Sequence, residues 1–208
     1  MTLIAAEDWD EEILGRWPLQ DRSRRRVERI MEFSRKAIER DGVYALNLNN
    51  VAKEAEVNVA TVYQFFPTKN AVIARLALRE FDENYDRVEK AAAQCASAED
   101  VRTMFTEAFV TAHRNSGDAT FLRELWAIME ADRNLQRLNQ KDDDRLAQLL
   151  TETYMRFAPG ADAEQVRNRI LLLLGMSAFA IRTALTLNRN EGERLIAEAK
   201  QLIFGVPL

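Results

Sequence analysis

What the chain has little of narrows it first. One cysteine in 208 residues, Cys95, excludes an internal disulfide framework, and one histidine, His113, leaves almost nothing for a metal cluster or an imidazole base. With 7 glycines and 4 prolines the chain offers no glycine-rich phosphate loop, while long stretches of Ala, Leu, Glu, Arg and Gln favour helix. The expectation is an all-α protein without a sheet, without metal or cofactor, and not an enzyme. The most apolar run, Ile170 to Ile181, is 12 residues, short of the roughly 20 that a membrane span needs. The first residues, MTLIAAEDWDEEIL, lack the basic start and apolar centre of a secretory signal, so they are expected to be retained in a cytoplasmic protein.

Net charge is −4, which alone argues against an anionic partner, but the distribution argues otherwise. Residues 1 to 21 carry one basic and six acidic side chains, residues 22 to 69 ten basic and six acidic, and residues 70 to 208 eighteen basic and twenty-one acidic. The positive charge is local, and a local patch is what attracts phosphate.

Periodicity and caps divide the chain into an acidic arm (1–21), a small helical head (22–68) and a larger helical body (69–208). In the arm, Trp9, Ile13 and Trp17 recur at i, i+4 and i+8 and Pro18 ends the pattern, compatible with a frayed tail or with a short docked helix. About nine main helices are expected: Arg22 to Arg40 with Gly42 as its stop, Leu48 to Ala55 behind an Asn47 cap, Val59 to Phe65 behind an Asn58 cap, Lys69 to Gln94 behind Thr68, then Ala98 to Asn115, Ala119 to Ala131, Leu135 to Phe157, Ala163 to Leu187 and Glu191 to Phe204. The second and third are short, and only Glu56, Val57 and Asn58 join them, which is helix-turn-helix spacing.

A helix as short as Val59 to Phe65 is marginal in water without tertiary support. Its residues suit a braced probe. Val59 and Ala60 are small enough to let backbone approach base edges, Gln64 can pair with adenine, and Asn49 is a further candidate for the groove. Thr61 and Tyr63 place hydroxyls where they can donate to phosphate oxygens, and Lys69 adds an ammonium at the start of the next helix. Phe65 and Phe66 supply bracing, each buried aromatic contributing about 2 to 3 kcal/mol through area alone. Arg22, Arg24, Arg25 and Arg26 read either as a solvated helix start or as contacts with the DNA backbone or minor groove.

The pattern from Ile30 through Gly42, Asn47, Val51-Ala52, Val57, Thr61-Val62-Tyr63 and Phe66-Pro67-Thr68-Lys69 resembles the DNA-binding domain of tetracycline-repressor-like (TetR/AcrR) regulators. The resemblance implies an Ω-shaped all-helical homodimer whose body binds a small effector and releases a palindromic operator when filled. By position it implies phosphate contacts at Thr61, Tyr63 and Lys69, assisted by Asn47 and Thr68, and base contacts at Val59, Ala60, Gln64 and Asn49. The sequence departs from the family pattern at Glu56, where Gly is usual, and at Phe33-Ser34, where two alanines are usual.

In the body, Ala163 to Leu187 is apolar nearly all round, so it must be covered on both sides. Leu171, Leu174, Ala178, Ile181 and Leu185, with Leu195, Ile196, Ala199 and Ile203 on the last helix, form either a four-helix interface with a second copy or an intrachain core. Phe105, Phe109, Phe121, Trp126, Met129, Met176 and Phe179 suggest a mostly apolar effector pocket, with His113, Tyr154 and Arg182 as polar anchors, though each alone also suits a core. Asp142, Asp143 and Asp144 read as a solvated face, since consecutive carboxylates on a helix point apart. The expected function is a ligand-responsive DNA-binding regulator, a repressor by preference; the alternative is a helical protein-interaction module with a degenerate helix-turn-helix.

Overall fold

The computed structural model describes residues 11–114 and 119–205. Trp9, the break expected at 116–118 and the His113 side chain lie outside them. All described regular structure is helical: a four-residue turn, α1 (Glu11–Leu14), then α2 (Asp21–Asp41), a 3-10 turn (Val43–Ala45), α3 (Leu48–Glu54), α4 (Val59–Phe65), α5 (Lys69–Ala93), α6 (Ala98–Arg114), α7 (Ala119–Ala131), α8 (Arg133–Met155), α9 (Ala163–Thr186) and α10 (Arg189–Phe204).

Local chemistry sets these ends. Asn47 accepts from the amides of Asn49 and Asn50, Asn58 from Ala60, Asp162 from Glu164 and Gln165, and Asn188 from Glu191, so each helix starts on a side-chain oxygen that satisfies an otherwise unpaired N–H. The Thr68 hydroxyl accepts from the amide of Ala71 at 3.1 Å and starts α5. At the other end of α2, Gly42 takes φ 86°, where a Cβ would crowd the Glu124 carboxylate at 3.2 Å.

The chain divides into two compact units: residues 1–83 with 120–138, and residues 84–119 with 139–208. The first is larger than the 22–68 head that the sequence suggests. It takes in the start of α5 because Val72, Ile73 and Leu76 belong to the same core as Val27, Ile30, Val51 and Val62. It takes in α7 because Phe121 and Leu125 are buried there too. Polar ties reinforce the second attachment: Glu124 accepts from the Val43 amide at 3.0 Å, Asn70 donates to Asp132 at 2.8 Å, and the Arg35 guanidinium lies 4.2 Å from the centre of the Phe121 ring.

The second unit has its own core, in which Ala147 and Leu150 of α8 meet Val166 and Ile170 of α9, with Val88, Met104, Phe105 and Tyr154 against them. Helix α9 packs on α10 and α6. By length and composition it could cross a membrane. Its Arg167, however, pairs with Asp144 of α8 at 2.5 Å, and its Arg182 sits in the field of Asp143, which ties it into a polar helical assembly.

Candidate nucleic-acid interface

Helices α3 and α4 are each seven residues long and are held by what surrounds them. Val62 and Phe65 of α4 and the following Phe66 are buried, and so are Leu48, Val51 and Ala52 of α3. The opposite side of α4 faces solvent: Val59 is 39% exposed and Tyr63 45% exposed, and Ala60 and Gln64 are exposed beside them. Spacing of i, i+1, i+4 and i+5 puts these four on one face, available to a groove. Thr61 is half-buried at its edge.

Both departures from the expected family pattern are visible as local strain or imperfect packing. Glu56 sits in the α3–α4 turn at φ 54°, and no other described non-glycine residue has positive φ. That conformation costs a side-chain-bearing residue roughly 1 kcal/mol, and the Glu56 carboxylate lies 3.3 Å from the Arg29 guanidinium of α2. Ser34 is fully buried in α2 and its hydroxyl has no hydrogen-bond partner.

Around α4, the residues read as phosphate contacts have different surroundings. Asn47 is exposed with its side-chain oxygen already accepting as a cap, which leaves its amide N–H groups to donate elsewhere, and Asn49, read as a base contact, is exposed beside it. Thr68 is exposed, and accepting from Ala71 still leaves its O–H to donate. The Lys69 ammonium donates to the Tyr44 carbonyl at 3.3 Å, which brings an aromatic that is 64% exposed beside the start of α5. Nothing in the sequence pattern singled out Tyr44. Arg25 is exposed. Arg24 is exposed too, with its Nε donating to the Pro18 carbonyl at 3.2 Å and Asp21 3.8 Å away.

The residues read as an effector pocket are divided between the two units. Phe121, Trp126 and Met129 pack in the first core, Phe121 fully buried under Arg35, so core packing accounts for them. Phe105 and Tyr154 pack against the second core and Phe109 is buried in the same unit. Met176 and Phe179 lie on the outside of α9, 48% and 65% exposed. The residues read as a dimer face are covered to different degrees by the chain itself. Ile181, Ile196 and Ile203 are buried inside the chain, and Leu171, Leu174, Ala178, Leu185, Leu195 and Ala199 are half-buried. The open stripe of α9 is Leu172, Met176 and Phe179, with Gly175 between them facing open space.

The reading of Asp142, Asp143 and Asp144 as a solvated face is corrected. Asp142 is 6% exposed and pairs with Arg145 at 2.8 Å, and the Arg145 guanidinium stacks 4.1 Å from the centre of the Tyr85 ring. The three carboxylates do diverge, but Asp142 and Asp144 pair with Arg145 and Arg167, and Asp143 lies in the field of Arg182. Burial, then the charges of Asp142 and Asp144, push the Asp143 carboxyl up to about 6, against the opposing pull of Arg182 and a hydrogen bond from Asn139. Burial also raises the Tyr85 phenol. Among the described residues no group of three or more His, Cys, Asp or Glu side chains is arranged to hold a metal.

Similarity to known proteins agrees with this architecture. Residues 30–76 match the family model for bacterial regulatory proteins of the tetR family, and residues 118–205 match the model for the tetracyclin repressor-like C-terminal domain. Among solved structures, a transcriptional regulator from Rhodococcus sp. Rha1 superposes with a TM-score of 0.68 at 16% identity, over 88% of this chain and 95% of its own. GusR from Salmonella enterica superposes with 0.68 at 12% identity, over 91% and 98%. A transcriptional regulator from Saccharomonospora viridis, solved in complex with choline, gives 0.62 at 19% identity, over 88% and 94%. Identities this low speak for the fold alone. No curated protein matches the chain. With both halves of the family represented and the exposed α4 between its braces, the chain belongs to the tetR family of bacterial regulatory proteins.

Proposed function

We propose that the protein is a ligand-responsive, sequence-specific DNA-binding regulator in the cytoplasm that works as a homodimer and represses from a near-palindromic operator. One observation carries the reading: a seven-residue helix, capped by Asn58 and anchored by Val62, Phe65 and Phe66, turns Val59, Ala60, Tyr63 and Gln64 outward as a set. A face so short and so firmly braced suits insertion into a major groove about 12 Å wide. Tyr63, Thr61 and Lys69 hold phosphates; Gln64, with Val59, Ala60 and Asn49, reads bases.

Dimerisation is supported by α9. Its apolar stripe of Leu172, Met176 and Phe179 is a surface that a soluble chain covers with a second copy, and Leu202 on the adjacent α10 is 74% exposed as well. The second unit takes a small, mostly apolar effector near Phe105, Phe109 and Tyr154, and binding there changes the separation of the two α4 helices, which must match a spacing of about 34 Å or its multiples.

Selection from a randomised duplex pool tests the reading. Wild-type protein is expected to enrich one near-palindromic sequence and to lose affinity steeply as salt rises. Lys69→Ala should weaken binding to selected and random duplexes alike and lower the salt slope by about one, whereas Gln64→Ala should relax preference at one base pair by about 1 to 3 kcal/mol. Enrichment of no sequence together with a flat salt response refutes the reading and leaves the protein-interaction module in its place.

A further inference from the structure

Before α2, the chain makes a set of contacts that DNA binding by itself does not require. Leu14 is 1% exposed within the first core, Ile13 and Trp17 pack against it, and Pro18 is buried. The Arg16 amide donates to the Phe65 carbonyl at 2.9 Å. Phe65 is the last residue of α4, and its carbonyl is one of the acceptors that a helix end leaves without an internal partner. The acceptor is satisfied from a segment about fifty residues earlier in sequence.

Gly15 shows how close that approach is. It takes φ 68°, and a Cβ built on it would collide with the Phe65 carbonyl oxygen and meet the Phe66 ring at 3.2 Å. Neither neighbour can yield cheaply, since one is backbone and the other is a ring that is 1% exposed. The segment is held from α5 as well. Arg75 donates through Nε to the Leu14 carbonyl at 2.9 Å and through Nη2 to the Gly15 carbonyl at 3.2 Å, with its guanidinium 5.0 Å from the centre of the Trp17 ring. Arg24 secures the far end by donating to the Pro18 carbonyl. A planar fork spanning two successive carbonyls fixes backbone direction in a way that a single contact does not.

We propose that residues Leu14 to Pro18 form a strap that sets the position of α4, with Gly15 as its point of contact and Arg75 as its anchor, so that these are positioning residues for sequence-specific binding. The inference rests on α4 being the helix that reads DNA. Base readout depends on placing side chains to within a fraction of an ångström, while phosphate attraction tolerates displacement. A strap of this kind therefore governs discrimination between sequences more than it governs affinity for DNA in general.

The test uses full-length protein, the duplex that wild type selects and a random-sequence duplex. Gly15→Ala, which changes no charge, and Arg75→Gln are each expected to lower the preference for the selected duplex by roughly 10-fold, with binding to random duplex within about 2-fold of wild type and the salt slope unchanged. Arg75→Lys, which keeps the charge and one donor, should recover part of the preference. The measurement is made well below each variant's melting temperature, and if Gly15→Ala does not fold, the two Arg75 variants decide. Equal loss on both duplexes, a salt slope reduced by one for Arg75→Gln, or an unaltered preference each overturns the strap. Failure of wild type to select any sequence overturns the reading of α4 instead.

Discussion

Among its described residues the first unit leaves Leu19, Tyr44, Val59 and Tyr63 as its exposed large apolar side chains, and the last three lie on or beside the face proposed to meet DNA. The second leaves Leu172, Met176 and Phe179 open along one helix while burying Asp142 and much of Asp143. What each unit exposes corresponds to what it is proposed to bind: hydroxyls, an amide and an ammonium for a charged polymer, a bare hydrocarbon stripe for a second copy. What each buries differs as well. Each has a buried hydroxyl without a partner, Ser34 in the first and Ser177 in the second, but only the second adds the carboxylates of Asp142 and Asp144 paired with Arg145 and Arg167.

The largest effect expected from breaking this contrast comes from polarising the stripe. Phe179→Glu places a charge on an exposed site, so the monomer keeps its fold, but in a two-fold interface the change counts twice. Dimer association should weaken by roughly 100-fold or more, visible by sedimentation, with operator binding lost in parallel. A wild-type protein that sediments as a monomer at micromolar concentration and still binds a selected operator would separate the stripe from dimerisation.

The buried carboxylate gives a smaller effect with a definite pH dependence. In the folded chain Asp143 holds its proton up to about pH 6, above the ordinary carboxylate value that applies when unfolded. The folded state binds that proton more tightly, so this group's stabilisation is complete at low pH and is lost as pH rises through about 6. Asp143→Asn removes the loss and should be more stable than wild type by about 1 kcal/mol above neutral pH, a figure reduced for the partial exposure of the group, with the difference vanishing in acid. Thermal melts across pH measure it, and a difference that grows toward low pH contradicts the assignment. Smallest is the first unit's own flaw: Ser34→Ala removes an unpartnered hydroxyl and should add up to about 1 kcal/mol with an unchanged urea m-value.

The helices were legible because their ends are written locally. Val59 to Phe65 and Ala119 to Ala131 coincide with the observed α4 and α7, and the other expected helix ends fall within two residues of those seen, since the Asn47, Asn58 and Thr68 caps are read without tertiary knowledge. The outward set on α4 was legible for the same reason. Which side of α9 faces in was not, because a helix apolar all round carries no phase: Ser177, Ile181 and Ala184 are inside, while Leu172, Met176 and Phe179 are outside. Asp142 to Asp144 were misread because two of their arginines, Arg167 and Arg182, come from another helix. The charge of Arg24 was legible, but only the fold shows the Pro18 carbonyl that its guanidinium meets. The arm's apolar stripe was visible at Ile13 and Trp17, but its docking on the end of α4 depends on Gly15 approaching backbone far away in sequence.

Asn58 closes α4 at its start and the Arg16 amide closes it at its finish, so neither tip is free to unravel. A rod pinned at both ends yields as a unit or not at all. The chain thereby obtains from seven residues a stiffness that such a length does not have by itself.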